Sequence, residues 1–168
     1  MIPNRYSLFL IFALLAGCSP QGGGGTQALD FSQDTACALD GMVLAEFPGP
    51  KGQIHYEGAS PEFFCDTVEV LAALLQPEQA RKVKAAYVQD MGTTDWEKPR
   101  GHWVEARQAF YVKDSSLRGA MGPTLVSFAS EAAAKAFVAK QGGTVLRFAQ
   151  VTPDMVHLDG GALHDKGM

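Results

Sequence analysis

The sequence lacks the short signatures that announce most enzymes. It has no Gly-rich phosphate loop, no dinucleotide fingerprint, no Gly-x-Ser-x-Gly elbow and no His-Glu-x-x-His helix. Nucleotide-driven, serine-hydrolase and zinc-protease chemistry therefore have no foothold here. Positive charge is also short: Lys and Arg number 14 against 18 Asp and Glu, a formal net charge of -4 over 168 residues. With no basic cluster interleaved with aromatics, a nucleic-acid surface is excluded. The longest apolar run, "YSLFLIFALLAG", is too short to span a bilayer as a helix. Cysteines number three.

What is present starts with that run. It follows Arg5 and ends in Leu15, Ala16, Gly17 and Cys18, which matches the bacterial lipobox. The expectation is a signal peptide over 1–17 and lipidation of Cys18, with export to the periplasm and attachment to the membrane through the lipid. Ser19 after that cysteine favours the outer membrane. "SPQGGGGTQ" has nothing apolar to bury and reads as a flexible tether, 18–30. The remainder, 31–156, has the size of one domain. The tail 157–168 has no core-forming pattern and is expected to trail into solvent.

Within the domain, "MVLAEF" (42–47), the turn "PGPKG" and "QIHYE" (53–57) read as a hairpin. Ser60 as N-cap and Pro61 at the first helical position open a predicted helix that stops at Pro77. "VKAAYVQD" (83–90) is a third strand. The order then returns: strand 103–114, strand 122–129, Ser130 capping "EAAAKAFVAKQ", Gly142-Gly143 ending it, and strand "TVLRFAQV". The prediction is an α+β domain of two related strand-strand-helix-strand units, about 37–90 and 103–151, with helices packed on antiparallel sheets.

Sulfur carries the chemistry. Lipidation uses Cys18 and leaves Cys37 and Cys65, which in an oxidising compartment pair by default. Such a bridge would contribute about 3–4 kcal/mol by loop closure. The alternative is a metal that keeps both thiols reduced: thiolate and thioether donors are soft and select Cu(I). Met42, Met91 and Met121 each adjoin glycine in predicted loops, where methionine is not filling a gap on a helix face. A lone loop methionine more often packs on an aromatic, and both readings stay open from the residues alone. Trp103 reads as core rather than as a face for a cation.

"CALDGMVLAEFPGPKGQIHY", "FFCDTVEVLAALLQPEQ", "WVEARQAFYV" and "GAMGPTLVSFAS" together resemble the nitrous oxide reductase accessory protein family, NosL. The match runs in register from about Cys37 to Phe148. The resemblance implies a non-catalytic periplasmic lipoprotein that binds Cu(I) and hands it on for assembly of the copper centres of nitrous oxide reductase. Its partners would be the maturation machinery, a membrane transporter complex and the apo-reductase, with a metal-linked dimer as one oligomeric state. It also implies two related units similar to a domain of organomercurial lyase. The family's first motif is often Cys-x-x-Cys-Gly-Met; here Asp40 stands where the second cysteine would precede Gly41, which throws weight onto methionine.

On that footing Met121, in the Met-Gly-Pro segment, is the leading ligand, with Met42 and Cys37 from the first motif as partners across a shared cleft. Cys65 is either a ligand or a half-buried structural thiol. Imidazole also binds copper, and His55 and His157 are the candidate histidines. The rival readings are a module stapled by a Cys37–Cys65 disulfide that binds no metal, and an enzyme related to organomercurial lyase with Cys65 or Cys37 as nucleophile; Cys65 with His55 as base could be drawn, but no third orienting group is evident.

Overall fold

The computed structural model describes residues 26–158. The expected signal peptide, Cys18, Ser19, the tether as far as residue 25 and the tail from 159 lie outside the described residues. Among the described residues no helix is long and apolar enough to cross a membrane.

The first unit contains β1 (Gly52–Tyr56), β2 (Glu62–Phe64), α1 (Thr67–Leu74) and β3 (Val83–Gln89), and β4 (Trp103–Glu105) completes its sheet. The second starts at β5 (Phe110–Lys113). A two-stranded hairpin, β6 (Arg118–Gly119) and β7 (Gly122–Pro123), then precedes β8 (Val126–Phe128), α2 (Glu131–Gln141) and β9 (Thr144–Arg147). Strand order is β2-β1-β3-β4 in one sheet and β8-β5-β9 in the other, antiparallel throughout. The α+β class with two related units is what the sequence led us to expect.

The units also share register. Gly52 pairs with Phe64 on one side and Val88 on the other, and Phe110 pairs with Phe128 and Arg147 in the same way. Helix caps follow suit, Asp66 for α1 and Ser130 for α2. The Ser127 hydroxyl donates to the Gln89 carbonyl at 2.6 Å and ties the two sheets together.

Several expected boundaries move. Residues 42–47 are not a strand: Ala36 and Val43 form an isolated bridge, and Leu44–Glu46 is a 3-10 turn that buries Leu44. The helix cap is Asp66 and not Ser60, because 62–64 are taken up by pairing with β1 before the helix begins. The expected strand 103–114 breaks at Ala106–Ala109, where the amides of Gln108 and Ala109 both donate to the Glu105 carbonyl. β4 belongs to the first sheet and β5 to the second, so this turn is the crossing between them. The expected strand 122–129 is divided between β7 and β8. Ser130 and Gly142 hold their expected places at the ends of α2.

The main core joins Ile54, Phe64, Val68, Leu71 and Val88 with Tyr111, Leu125, Val151 and Val156, so α1 is enclosed by both units. α1 packs close to β1 because residue 52 is glycine: a Cβ there would lie 2.2 Å from Cγ2 of Val70. Residues 26–30 already belong to the domain. Leu29 exchanges hydrogen bonds with the Gln53 amide at 2.9 and 2.8 Å, and the Tyr87 hydroxyl donates to the Thr26 carbonyl.

Candidate metal centre

The stretch Cys37–Met42 closes on itself. The Cys37 amide donates to the Met42 carbonyl at 2.8 Å and the Gly41 amide to the Cys37 carbonyl at 3.0 Å. Asp40 turns its carboxylate back to accept the Met42 amide at 2.9 Å, a local turn that aspartate favours. Gly41 sits at φ +78°, where a side chain would be strained. The loop docks on β2 through the Ala38 amide and the Phe63 carbonyl, 2.8 Å apart. These contacts bury Cys37 and leave Asp40 exposed at the rim.

Cys65 occupies the corner between β2 and α1 and is fully buried. Asp66 then caps the helix, accepting the Val68 amide at 3.0 Å, and Glu69 reaches back to the Asp66 amide at 3.2 Å in a reciprocal capping box. Four residues after Cys65, Glu69 returns to the same side of the first turn. One donor atom from each of Cys37, Asp40, Cys65 and Glu69 lies within 4.8 Å of the others. Both thiols are unlinked. Met42 packs against the same cluster, together with Phe31, Leu44, Phe63, Trp103 and Ala120. Trp103 is fixed there by its indole N–H on Asp30, 2.8 Å away, and by its edge contact with Phe31.

The protons of this group are coupled. A hydrogen bond from the Cys65 thiol pulls Cys37 down to about 6, helped by the amides of Asp40 and Leu39, while burial opposes. Cys65 moves the other way because its proton is held against Cys37 and its site is dry. Burial, then the Cys37 charge, push Glu69 up to about 8. At neutral pH the group therefore presents a Cys37 thiolate beside a protonated Glu69, whose oxygens lie 3.4 and 3.6 Å from the sulfur. Lys51 is fully buried near them, its ammonium donating to the Pro48 carbonyl at 2.8 Å. Burial lowers it to about 8, against the pull of Asp66, Cys65, Glu69 and Cys37. A buried cation of this kind offsets negative charge gathered on the sulfurs.

The six candidate ligands named from sequence fall into three places. Cys37, Cys65 and Met42 come together. Met121 and His157 line a separate cavity with Val68, Pro123, Asp154, Met155 and Leu158. His55 joins neither: it is buried in β1, its Nε2 2.7 Å from Gln53 Oε1 and its ring edge-on to Tyr87. Sequence reasoning missed Asp40 and Glu69 as members of the sulfur group, and Lys51 beneath it. Asp66-x-x-Glu69 is a capping-box spacing in its own right and marks where the helix starts, hence which residues flank Cys65.

Comparison with known proteins gives one answer. The model of the NosL family matches residues 28–156. The copper-binding lipoprotein NosL of Stutzerimonas stutzeri is 42% identical over 140 residues, covering 80% of this chain and 73% of that protein. Its counterpart in Achromobacter cycloclastes is 40% identical over 149 residues, covering 86% and 77%. The crystal structure of the copper chaperone NosL from Shewanella denitrificans superposes with a TM-score of 0.72 at 39% identity, covering 76% of this chain and 97% of that one. The sulfur-bearing corner described above thus sits in a chain that belongs to the NosL family.

Proposed function

We propose that this protein is a Cu(I) carrier without catalytic activity, exported to the periplasm and anchored by lipid at Cys18 to the outer membrane. It delivers its cargo for assembly of the copper centres of nitrous oxide reductase, through the transporter complex and apo-reductase of the maturation machinery. The observation that carries the reading is the meeting of two unlinked buried thiols, Cys37 and Cys65, with the Met42 side chain packed against their cluster. Relatives at 40–42% identity bear copper-binding names, which supports the choice of metal.

The donors suit the task. Thiolate and thioether are soft and prefer Cu(I) over the hard ions that carboxylates would take alone. Cys37 needs no further deprotonation near neutral pH, so loading has to displace the Cys65 proton only. Asp40, exposed at the rim, gives an incoming partner a polar point of approach while the sulfurs stay covered. Release then proceeds by exchange, an entering soft ligand adding before a thiolate leaves.

The test is an anaerobic Cu(I) titration against a competing chromophoric chelator, with free thiols counted before and after. One tightly held ion that protects two thiols supports the carrier. Zero free thiols in the freshly isolated protein would return the disulfide-stapled module in its place. Transfer to apo-reductase, read as recovered copper-centre absorbance, tests the destination separately.

A further inference from the structure

Among the fully buried side chains only Tyr111 is larger than Lys51, and a lysine is almost never buried whole unless an anion pairs with it. Lys51 has no such pair: none of the ion pairs among the described residues includes it, and its ammonium donates to the neutral Pro48 carbonyl. Nor can it swing out to water. Its amide donates to Oε1 of Gln89 at 3.0 Å, and the Gln89 amide donates back to its carbonyl at 3.1 Å. Register fixes where the charge lies. Gly52 faces Phe64 across the antiparallel β1–β2 pair, so one step further sets Lys51 opposite Cys65. The groups whose charge acts on it are Asp66, Cys65, Glu69 and Cys37. Of these, Asp66 already accepts the Val68 amide, the Thr124 hydroxyl and the Met121 amide. The bond to Pro48 needs only a neutral donor, so the positive charge itself calls for a reason beside the thiols.

We propose that Lys51 sets the specificity of the thiol site: its fixed positive charge discriminates against divalent ions and leaves a soft monovalent ion as the cargo. The inference rests on the carrier reading above and supplies what the donors alone do not. Two cysteines and two carboxyls within 4.8 Å of one another are a set that Zn(II) or Cd(II) also accepts, so softness by itself does not reject them. Charge does. Ions that displace the same thiol protons share whatever Lys51 contributes by stabilising the thiolates, and that share cancels between them. What remains is the repulsion between the ammonium and the ion, twice as large for a doubly charged ion in the same place. In a dry corner this repulsion is little screened by salt or water. Lys51 acts through its field, without touching the metal.

The experiment titrates the full chain anaerobically at neutral pH with Cu(I) and, separately, with Cd(II), each against a competing chelator, with thiol alkylation reporting occupancy. Lys51→Met keeps the length of the stem and removes the charge; Lys51→Gln removes the charge and keeps a donor for Pro48. Replacing a buried charge by a neutral group of similar volume is often tolerated, and melting curves on both variants precede the titrations. Both should shift the preference toward Cd(II) over Cu(I) at least tenfold. Lys135→Met, which takes the same charge from the exposed Lys135–Glu131 pair on α2, should leave the ratio where it is. A ratio that neither neutral variant moves, or that Lys51→Met moves and Lys51→Gln does not, overturns the assignment. So does the loss of a native melting transition in both variants, which would make Lys51 part of the fold alone. If Cu(I) fails to protect the thiols of the native chain, it is the carrier reading that falls.

Discussion

The two units share one plan and differ in what their helices touch. β2-β1-β3 and β8-β5-β9 have the same order and register, and Asp66 and Ser130 cap their helices at equivalent points. Yet α1 buries Thr67, Val68, Glu69, Val70, Leu71 and Leu74, whereas α2 buries Ala134 alone. Counting from the caps, Cys65 corresponds to Ala129 and Glu69 to Ala133. The second unit spreads its helix on the outside; the first is covered by the second unit's Thr124, Leu125 and the hairpin. A buried helix start offers dry, preorganised surroundings in which a thiol and a carboxyl shift each other's protons, and an exposed one does not. Burial of one copy by the other is what separates the reactive unit from the scaffold.

The strongest way to break this comparison is at the sulfurs. Cys37→Ser with Cys65→Ser should lower Cu(I) affinity by more than the roughly 10–100-fold typical of losing an outer-shell partner. Placing a thiol at the equivalent point of the other unit, Ala129→Cys, should leave the affinity of the native site unchanged, because that corner is exposed and lacks a counterpart to the Cys37 loop. Competition titrations on both variants decide the point. Tight binding retained by the double serine variant would show that the corner is scaffold too.

Next come the caps. Asp66→Ala removes a helix cap and leaves the Thr124 hydroxyl and the Met121 amide without their acceptor, so a loss of about 3–5 kcal/mol is expected. Ser130→Ala removes only the bond to the Ala133 amide and should cost about 1 kcal/mol. Urea denaturation of the pair measures the difference. Equal losses would mean that Asp66 is an ordinary cap.

A smaller effect lies in the helix-to-sheet contact. Gly52 faces Val70, and the equivalent positions hold Phe110 and Ala134, large and small exchanged. Gly52→Ala should destabilise by about 1–3 kcal/mol through overpacking. Combining it with Val70→Ala should cost less than the sum of the two, because the second change opens the space that the first fills. Strict additivity in a denaturation cycle would place the strain elsewhere.

Much of this frame was legible in the residues, and the parts that were not have a common cause. Ser130 and Gly142-Gly143 mark α2 because an exposed helix depends on its own local signals. α1 takes its start from tertiary pairing: Phe63 and Phe64 join β1, so the competing Ser60-Pro61 signal loses to a strand and the cap moves to Asp66. The same holds at the site. Cys37 and Met42 could be read from the Cys-x-x-x-Gly-Met spacing, since the loop is local. The approach of Cys65 depends on the Ala38 amide finding the Phe63 carbonyl, a contact that no local pattern encodes. Met121 and His157 stand out as soft donors, but the cavity wall they share depends on the hairpin fastened to Asp66. Long-range docking, rather than propensity, decided each of these.

The finest distinction is in pH. Glu69 titrates from an ordinary 4.5 to about 8 in the folded chain. The folded state therefore holds a proton that the unfolded state releases, and the stability this confers is complete below 4.5 and is lost as pH rises through 8. Cys37, lowered from 9.0 to about 6, has the opposite sign: its contribution is complete above 9 and is lost as pH falls through 6. Between 4.5 and 6 only the Glu69 slope operates; between 6 and 8 the two oppose each other. Glu69→Gln keeps a neutral group that can still donate to the Cys37 sulfur but cannot titrate. The Cys37 slope is common to both chains and cancels, so the melting temperature of the native chain minus that of the variant should decline across the whole window from pH 4.5 to 8, at roughly 4 °C per kcal/mol for a domain of this size. In the second unit, where the equivalent residue is Ala133, Ala133→Ser should give a difference curve with no slope over the same range. A flat curve for Glu69→Gln as well would remove the coupled protons from the account of the site, leaving the thiols to bind copper unassisted.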